Sequence, residues 1–304
     1  MPMTTVRHVT TYRYRQPVAF GEHRLMLRPR ESFDQRLLDW KLVITPEPSD
    51  LRWAHDVFGN CVGYARFSRR ANLLSFDSSF VMDHAPQNPL DFRMEHYAET
   101  WPFAYSADDI PDLSRRIERH LPDPEREVDR WARAFSQGAA TPTRDMLAAI
   151  THAVHDNFAY VRREESGIQT PVETLRRRSG SCRDFALLMM EAVRSLGLAA
   201  RFVSGYLHTP ERGRERRGGG ATHAWCEVFL PGAGWVGFDP TNGIVGNRDL
   251  IRVAVARDPK QAVPLSGSFT GFPQDALGME VEVTVSETTE FENHPRLLVE
   301  PRRA

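Results

Sequence analysis

Hydrophobic and polar residues alternate along the first hundred residues in short runs, a pattern typical of half-buried β-strands. Turn signals such as Pro46-Glu47-Pro48 and Phe58-Gly59-Asn60 separate the runs. Several short strands at this spacing predict an antiparallel β-sandwich-like domain over residues 1–100. The predicted strands cover residues 4–15, 24–28, 37–45, 51–55, 61–68 and 71–81.

After residue 101 the apolar residues recur three and four positions apart, which is the spacing of amphipathic helices. Two short helices over 112–121 and 124–135 are predicted to form a helical connector over residues 101–140. Three further helices are predicted over residues 143–158, 171–178 and 181–196. Gly197 directly follows the last of these, as expected for a C-terminal stop.

Strand patterns return near residue 200, and the predicted strands cover residues 200–207, 223–230, 235–239 and 278–290. Helices followed by antiparallel strands predict the α+β fold class. Residues 141–291 are therefore predicted to form a second domain of helices packed on an antiparallel sheet, with 292–304 as a C-terminal tail. A charged, glycine-containing stretch over 208–222 is predicted to be a mobile loop.

Length and composition agree with two folded domains. The chain has 304 residues, 41% hydrophobic and 26% charged, which excludes a disordered chain and a membrane bundle. The formal net charge is only -1, so no large basic surface is expected for nucleic acid or for an anionic membrane. The composition identifies no binding partner and does not determine the oligomeric state.

Cysteine usage and the start of the chain bear on the cellular compartment. The three cysteines Cys61, Cys182 and Cys226 form no CxxC pattern and cannot all pair. The first 15 residues contain no apolar run of the length found in signal peptides or membrane helices. We therefore expect a cytoplasmic protein.

Cys182 is the residue most suited to chemistry. Ser181 and Asp184 form a capping-box pattern, which predicts that Cys182 lies in the first turn of a helix. The N–H groups and dipole of that turn stabilise a thiolate, and the same N–H groups stabilise an oxyanion formed beside the sulfur. A buried structural thiol is the alternative. Cys226 is expected to be such a core thiol, because it points away from the face that carries His223.

His223 opens one predicted strand and Asp239 closes the next, so the two side chains can be neighbours on adjacent antiparallel strands. A thiolate, an imidazole that carries the proton and a carboxylate that orients the imidazole are the groups that cysteine acyl-transfer enzymes use. Glu227 shares the His223 face and either supports the imidazole or is a solvated strand residue.

Four sequence blocks, in order along the chain, resemble the core of the bacterial transglutaminase-like superfamily. They are Gly180 to Ala186 (GSCRDFA), Leu196 to Tyr206 (LGLAARFVSGY), His223 to Val228 (HAWCEV) and Gly234 to Asn242 (GWVGFDPTN). Near the start of the chain, three blocks resemble the β-rich region that often precedes this core in bacteria. These are Thr11 to Tyr14 (TYRY), Leu27 to Arg30 (LRPR) and Asp56 to Asn60 (DVFGN).

The resemblance implies a papain-like core with Cys182 as nucleophile, His223 as general base and acid, and Asp239 as orienting carboxylate. It implies acyl transfer or hydrolysis at a protein or peptide amide through a thioester, with no cofactor and no metal. Crosslinkers, amidases and peptidases all belong to this superfamily, so the acyl acceptor stays open, with a slight preference for water. Leu250 and Pro259 replace the His and Tyr that relatives commonly carry, which points to an unusual substrate preference if they line the cleft.

Several alternatives remain at this stage. The core could be a catalytically silent module for binding or scaffolding, although an intact set of three residues argues against this. A metal-dependent hydrolase is disfavoured because His152 and His155, three apart on a predicted helix, lack a matching ligand set and are expected to be structural. Three residues are candidates for the second oxyanion donor, namely Gln169, Tyr160 and Trp225.

Overall fold

The computed structural model describes residues 3–84, 92–138, 140–162, 167–208 and 217–288. The predicted tail over 292–304 and residues 209–216 of the predicted loop lie outside the described residues.

The N-terminal part is a sandwich of two antiparallel sheets, as predicted. The first sheet has the strand order β17-β1-β6-β3, with β18 also paired to β1, and the second has the order β16-β2-β5-β4. The strands of the first sheet are β1 (Met3–Phe20), β3 (Gln35–Thr45), β6 (Ala71–His84), β17 (Phe269–Thr270) and β18 (Ala276–Thr288). Those of the second are β2 (His23–Leu25), β4 (Asp50–His55), β5 (Cys61–Arg66) and β16 (Leu265–Ser266).

The two halves of the long strands β1 and β6 contribute to two different cores. Tyr14, Val18 and Phe20 face inward between the two sheets, together with Leu74 and Phe76. The other halves of the same strands carry Val6, Phe80 and Met82, which pack on a different partner, the sheet of the second domain. The long strands thus join the two domains through one continuous layer.

The second domain is built on a five-stranded antiparallel sheet of order β14-β13-β12-β11-β15. Its strands are β11 (Ala200–Leu207), β12 (His223–Leu230), β13 (Gly234–Asp239), β14 (Ile244–Val245) and β15 (Leu250–Ala256). The short strands β7 (Thr100–Trp101) and β8 (Thr141–Pro142) form one further pair, and β9 (Ala159–Tyr160) and β10 (Ser179–Gly180) form another.

Helices cover one face of this sheet. They are α1 (Ile110–Ile117), α2 (Glu127–Arg133), α3 (Thr143–Asn157), α4 (Pro171–Arg177) and α5 (Cys182–Ser195), with 3-10 turns at His96–Ala98, Pro259–Gln261 and Pro273–Asp275. Helix α5 is the most buried, because apolar residues occupy nearly every face of it. Phe185, Leu188 and Met189 share a core with Ala224, Cys226 and Val228 of β12. The fold class is therefore α+β, as predicted.

The opposite face of the sheet packs against the N-terminal sandwich. Tyr206 of β11 and Ile251 and Val253 of β15 join the apolar cluster that contains Val6 and Phe80. The edge strand β15 also has backbone groups that no neighbouring strand satisfies, and two side-chain amides of the sandwich take that role. Gln35 bonds the N–H and C=O of Arg252 at 2.9 and 2.7 Å. Asn60 does the same for Val255.

Besides the short strands of two residues, which were not predicted, two longer strands differ from the sequence prediction. Strand β15 was not predicted, because residues 250–256 are buried on both faces and show no alternation. Strand β18 was predicted, but within the range 141–291 of the second domain. It pairs instead with β1 along its whole length, from Met3 opposite Thr288 to Tyr14 opposite Ala276, and so belongs to the first sheet.

Among the described residues, no helix combines the length and the apolar character that crossing a membrane requires.

Candidate active site

Helix α5 places Cys182 at its first residue. Ser181 precedes it in an extended conformation, and the predicted capping box with Asp184 is present. The Asp184 carboxylate accepts hydrogen bonds from the N–H of Ser181 at 2.8 Å and from the N–H of Gln169 at 2.7 Å. These bonds fix the start of the helix, so the thiol of Cys182 lies beside first-turn N–H groups that have no partner within the helix. The Cys182 side chain is nearly enclosed, with 8% of its surface exposed.

His223 and Asp239 meet at one end of the central sheet, as the strand arrangement predicted. Nε2 of His223, the first residue of β12, lies 2.8 Å from Oδ2 of Asp239, the last residue of β13. Asp239 also accepts hydrogen bonds from the N–H of Thr241 and from Nδ2 of Asn242, both at 2.9 Å. Both side chains are fully enclosed, so the pair is shielded from water.

Asp239 and His223 stabilise each other's charged form. Burial raises the pKa of Asp239, but the His223 charge and the hydrogen bonds of His223, Asn242 and Thr241 outweigh it and lower the pKa. For His223, burial favours the neutral ring, whereas Asp239 and Cys182 act in the other direction and raise the pKa well above its ordinary value. The imidazole therefore favours its charged form when a thiolate forms beside it.

The two nitrogens of the His223 ring have different surroundings. Nε2 is taken by Asp239, whereas Nδ1 is buried without a conventional hydrogen-bond partner among the described residues. The Cys182 side chain is the second group, after Asp239, whose interaction with the ring raises the pKa of His223. Nδ1 is therefore the ring nitrogen that is not bonded to Asp239, on an imidazole whose pKa Cys182 helps to raise.

His152 and His155 of α3 hold the loop that follows Asp239. His155 Nδ1 bonds the carbonyl of Thr241 at 2.9 Å, and His152 Nε2 bonds the carbonyl of Gly243 at 3.2 Å. The described residues contain no group of three or more His, Cys, Asp or Glu residues placed to bind a metal ion. The two histidines bond the loop whose Thr241 and Asn242 hold the Asp239 carboxylate.

A short segment before β12, Arg217 to Gly220, runs across the site and is called here the strap. The backbone N–H of Arg217 donates to Oδ1 of Asn242 at 2.8 Å, and its guanidinium donates to the carbonyl of His155 at 2.9 Å. Gly218 has a φ of +84°, and a Cβ built on it would lie 3.1 Å from Nδ1 of His223 and 3.3 Å from the Tyr160 hydroxyl. Only a glycine fits at this position without filling the space beside the imidazole.

Other residues singled out in the sequence lie as follows. Cys226 is in the core, where burial raises the pKa of its thiol, and its Sγ lies 3.6 Å from the carbonyl of Phe238. Glu227 is buried and pairs with Arg201 at 2.6 Å, so it is neither solvated nor a partner of His223. Leu250 and Pro259 are both buried and do not line an open cleft.

Comparison with known proteins identifies the family of the chain. Residues 4–83 match the model of the bacterial transglutaminase-like N-terminal region, and residues 129–240 match that of the transglutaminase-like superfamily. An uncharacterised protein of Mycobacterium tuberculosis is 32% identical over 293 residues, which is 93% of this chain and 92% of that one. The chain belongs to the transglutaminase-like superfamily.

Two other relatives of this superfamily member carry functional names. A solved structure from Cytophaga hutchinsonii, named as a candidate cysteine protease, superposes with a TM-score of 0.67 at 21% identity and covers 96% of this chain and 93% of that one. A protein-glutamine gamma-glutamyltransferase of Pseudomonas aeruginosa is 27% identical over 176 residues, 53% of this chain and 25% of its own length. The first match shows the shared fold. The second covers only a minor part of a longer protein.

Two residues of the candidate site were not predicted from the sequence. Asn242 bonds both Asp239 and the strap, and its signal was its place in an Asp-Pro-Thr-Asn turn, where Asn side chains commonly bond nearby groups. Gly218 lies in a run of three glycines close to His223, a composition that allows a backbone to approach a side chain closely. Both residues were visible in the sequence, but nothing there indicated what they contact.

Proposed function

We propose that the protein catalyses cysteine-dependent acyl transfer or hydrolysis at a protein or peptide amide, through a thioester on Cys182. The observation that carries this proposal is the buried imidazole of His223, which lies 2.8 Å from the Asp239 carboxylate and interacts with Cys182 at the start of a helix. This arrangement supplies a nucleophile, a proton carrier and an orienting carboxylate in one enclosed place.

In the proposed reaction the Cys182 proton moves to Nδ1 of His223, and the resulting thiolate attacks the amide carbon. A C–S bond forms, and the carbonyl π electrons move to oxygen to give an oxyanion. When the oxyanion collapses, the C–N bond breaks and the leaving amine takes the proton from His223. Asp239 keeps the ring oriented through Nε2 and stabilises the imidazolium, without taking the proton itself.

The acceptor of the acyl group distinguishes a hydrolase from a transferase. We favour water slightly, because water needs no binding site of its own beside His223. The name of the Pseudomonas aeruginosa relative, a gamma-glutamyltransferase, supports an amine instead. A glutamine peptide offered together with a primary amine therefore gives the test, with hydrolysed and amine-bearing products separated by mass spectrometry.

The first experiment on the site measures alkylation of each cysteine by iodoacetamide across pH, read by peptide mass spectrometry. We expect Cys182 to be alkylated faster than Cys226 near neutral pH, because the His223 imidazole favours a thiolate at Cys182. Cys226 is the internal control, because burial raises the pKa of that thiol. His223→Ala and Asp239→Asn should both slow the reaction of Cys182 near neutral pH, since each weakens the positive charge beside the sulfur.

Activity on the glutamine peptide should disappear in Cys182→Ala and survive in Cys226→Ala. A Cys182→Ala protein with full activity would refute the proposal. If Cys182 of the folded wild-type protein reacted no faster than Cys226, the alternative of a binding or scaffolding module would be favoured. We further propose a reducing, cytoplasmic setting, which the three free cysteines support.

A further inference from the structure

Tyr160 lies next to the proposed nucleophile because of a short strand pairing. Strand β9 runs parallel to β10, with Tyr160 opposite Gly180, and the N–H of Val161 donates to the Gly180 carbonyl at 2.9 Å. Strand β10 leads directly into Ser181 and Cys182. The backbone of Tyr160 is thereby fixed to the segment that carries the sulfur.

The Tyr160 hydroxyl faces the same small space as the imidazole. The point where a Gly218 Cβ would stand lies 3.3 Å from the hydroxyl and 3.1 Å from Nδ1 of His223. Because the strap has glycine there, no strap side chain stands between the hydroxyl and the imidazole. The hydroxyl is thus close to the imidazole nitrogen proposed to take the Cys182 proton, and the Cys182 charge acts on its pKa.

The surroundings of Tyr160 favour the protonated form of its hydroxyl. Burial, and then the negative charges of Cys182 and Asp239, raise the pKa of Tyr160 to about 12, although Arg162 and Arg183 act in the other direction. The hydroxyl therefore remains a hydrogen-bond donor at neutral and mildly alkaline pH.

The two other candidates, Gln169 and Trp225, are held in different surroundings. The N–H of Gln169 donates to Asp184 at 2.7 Å, and its side-chain carbonyl accepts from the Thr174 hydroxyl at 3.4 Å. The Trp225 ring stacks on His223 and is sealed in an apolar cluster with Val203, Leu207, Ile244, Leu250 and Val255. Trp225 is fully buried there, whereas Tyr160 is only partly buried, so the Tyr160 hydroxyl is the more accessible donor.

We propose that Tyr160 is a catalytic residue that donates its hydroxyl proton in a hydrogen bond to the oxyanion, beside the N–H of Cys182. This assignment rests on the proposed function. The developing negative charge on the carbonyl oxygen is stabilised by two donors that are in place before the reaction, which lowers the barrier to attack. The hydroxyl keeps its proton throughout, and the C–S bond formation and C–N bond cleavage proceed as described above.

The test uses two reactions of the same sulfur. Iodoacetamide alkylates a thiolate by displacing iodide and forms no oxyanion, whereas p-nitrophenyl acetate acylates it through a tetrahedral oxyanion. We expect Tyr160→Phe to slow acylation of Cys182 by about 100-fold, the usual effect of losing one oxyanion donor, and to leave alkylation almost unchanged. Tyr97→Phe is the matched control, because Tyr97 is an exposed residue whose ring contacts Phe103.

The outcomes separate the two proposals. If acylation persists in Tyr160→Phe while Cys182 remains reactive, the assignment of Tyr160 is wrong and the proposed function stands. If alkylation and acylation fall together, Tyr160 supports the thiolate or the fold, and the assignment is again overturned. A wild-type Cys182 that neither reagent modifies would overturn the proposed function and this assignment with it.

Discussion

Asn60 offers the sharpest test of how the two domains are held together. Its side chain is fully buried at the end of a tight turn between β4 and β5. Oδ1 accepts from the N–H of Val255 at 2.9 Å and from Arg30 at 2.8 Å, while Nδ2 donates to the carbonyl of Val255 at 2.7 Å and to Asp56 at 2.9 Å. One amide thus satisfies both outward-facing backbone groups of a residue on the edge strand β15.

The substitution Asn60→Ala removes these bonds and leaves the N–H and C=O of Val255 without partners in a buried interface. Each unpaired buried polar group costs about 1–3 kcal/mol. The two groups together predict a loss of about 4 kcal/mol in the free energy of unfolding, or a fall in melting temperature of roughly 6 °C for a chain of 304 residues.

Thermal and urea unfolding, followed by circular dichroism, measure this loss. Asn157→Ala is the matched control, because Asn157 is exposed and bonds only the carbonyl of Ala153, at the end of its own helix. That variant should stay within about 0.5 kcal/mol of the wild type. A loss below about 1 kcal/mol in Asn60→Ala would refute the reasoning, since it would mean that water replaces the amide and that the edge of β15 is not sealed.

Two further predictions concern the strap and the buried ion pair at the interface. Gly218→Ala should slow alkylation of Cys182 at least about 10-fold, since the added methyl group would occupy the space beside the imidazole. Gly220→Ala imposes the same left-handed strain but places its methyl group more than 4 Å from any atom outside the adjacent residues, so it should leave the alkylation rate unchanged. Equal effects of the two variants would contradict this reasoning. Burial raises the pKa of Asp34, but the hydrogen bonds and charge of Arg252 outweigh burial and lower the pKa. The carboxylate therefore stabilises the fold at pH values above its ordinary pKa of about 3.9. This stabilisation is lost as the pH falls through the lower pKa of the folded protein. Asp34→Asn should therefore be less stable than the wild type at pH 7, with a difference in urea midpoint that narrows towards pH 3, and a gap that does not change with pH would contradict the argument.

The local elements of the second domain were predictable because their sequence signals are local. Helix α5 begins within one residue of its prediction, since the Ser181 and Asp184 capping box marks the start and Gly197 the end. Strands β11 and β12 have the predicted bounds, because apolar runs there are broken clearly by Gly197 and by the charged loop. The juxtaposition of His223 and Asp239 followed from one short hairpin.

Contacts between segments distant in sequence were not predictable in the same way. Asn60 was visible only as part of a turn, and nothing near it indicates that its amide pairs with Val255, 195 residues further on. The alternation in β18 predicted a strand correctly, but alternation gives no information about the partner strand. Hydrophobic patterns identify which face is buried, and not the segment against which it is buried.

The pairing of β18 with β1 also constrains the order in which the protein can be completed during synthesis. β1 is made early and can pair with β6 once residue 84 has been made, but its other edge waits for β18, roughly tens of seconds later at ordinary elongation rates. Until then the long open edge of β1 is available to another chain. The nascent protein therefore has a period in which a strand from a second copy, or a chaperone that covers edges, competes for the place that β18 finally takes.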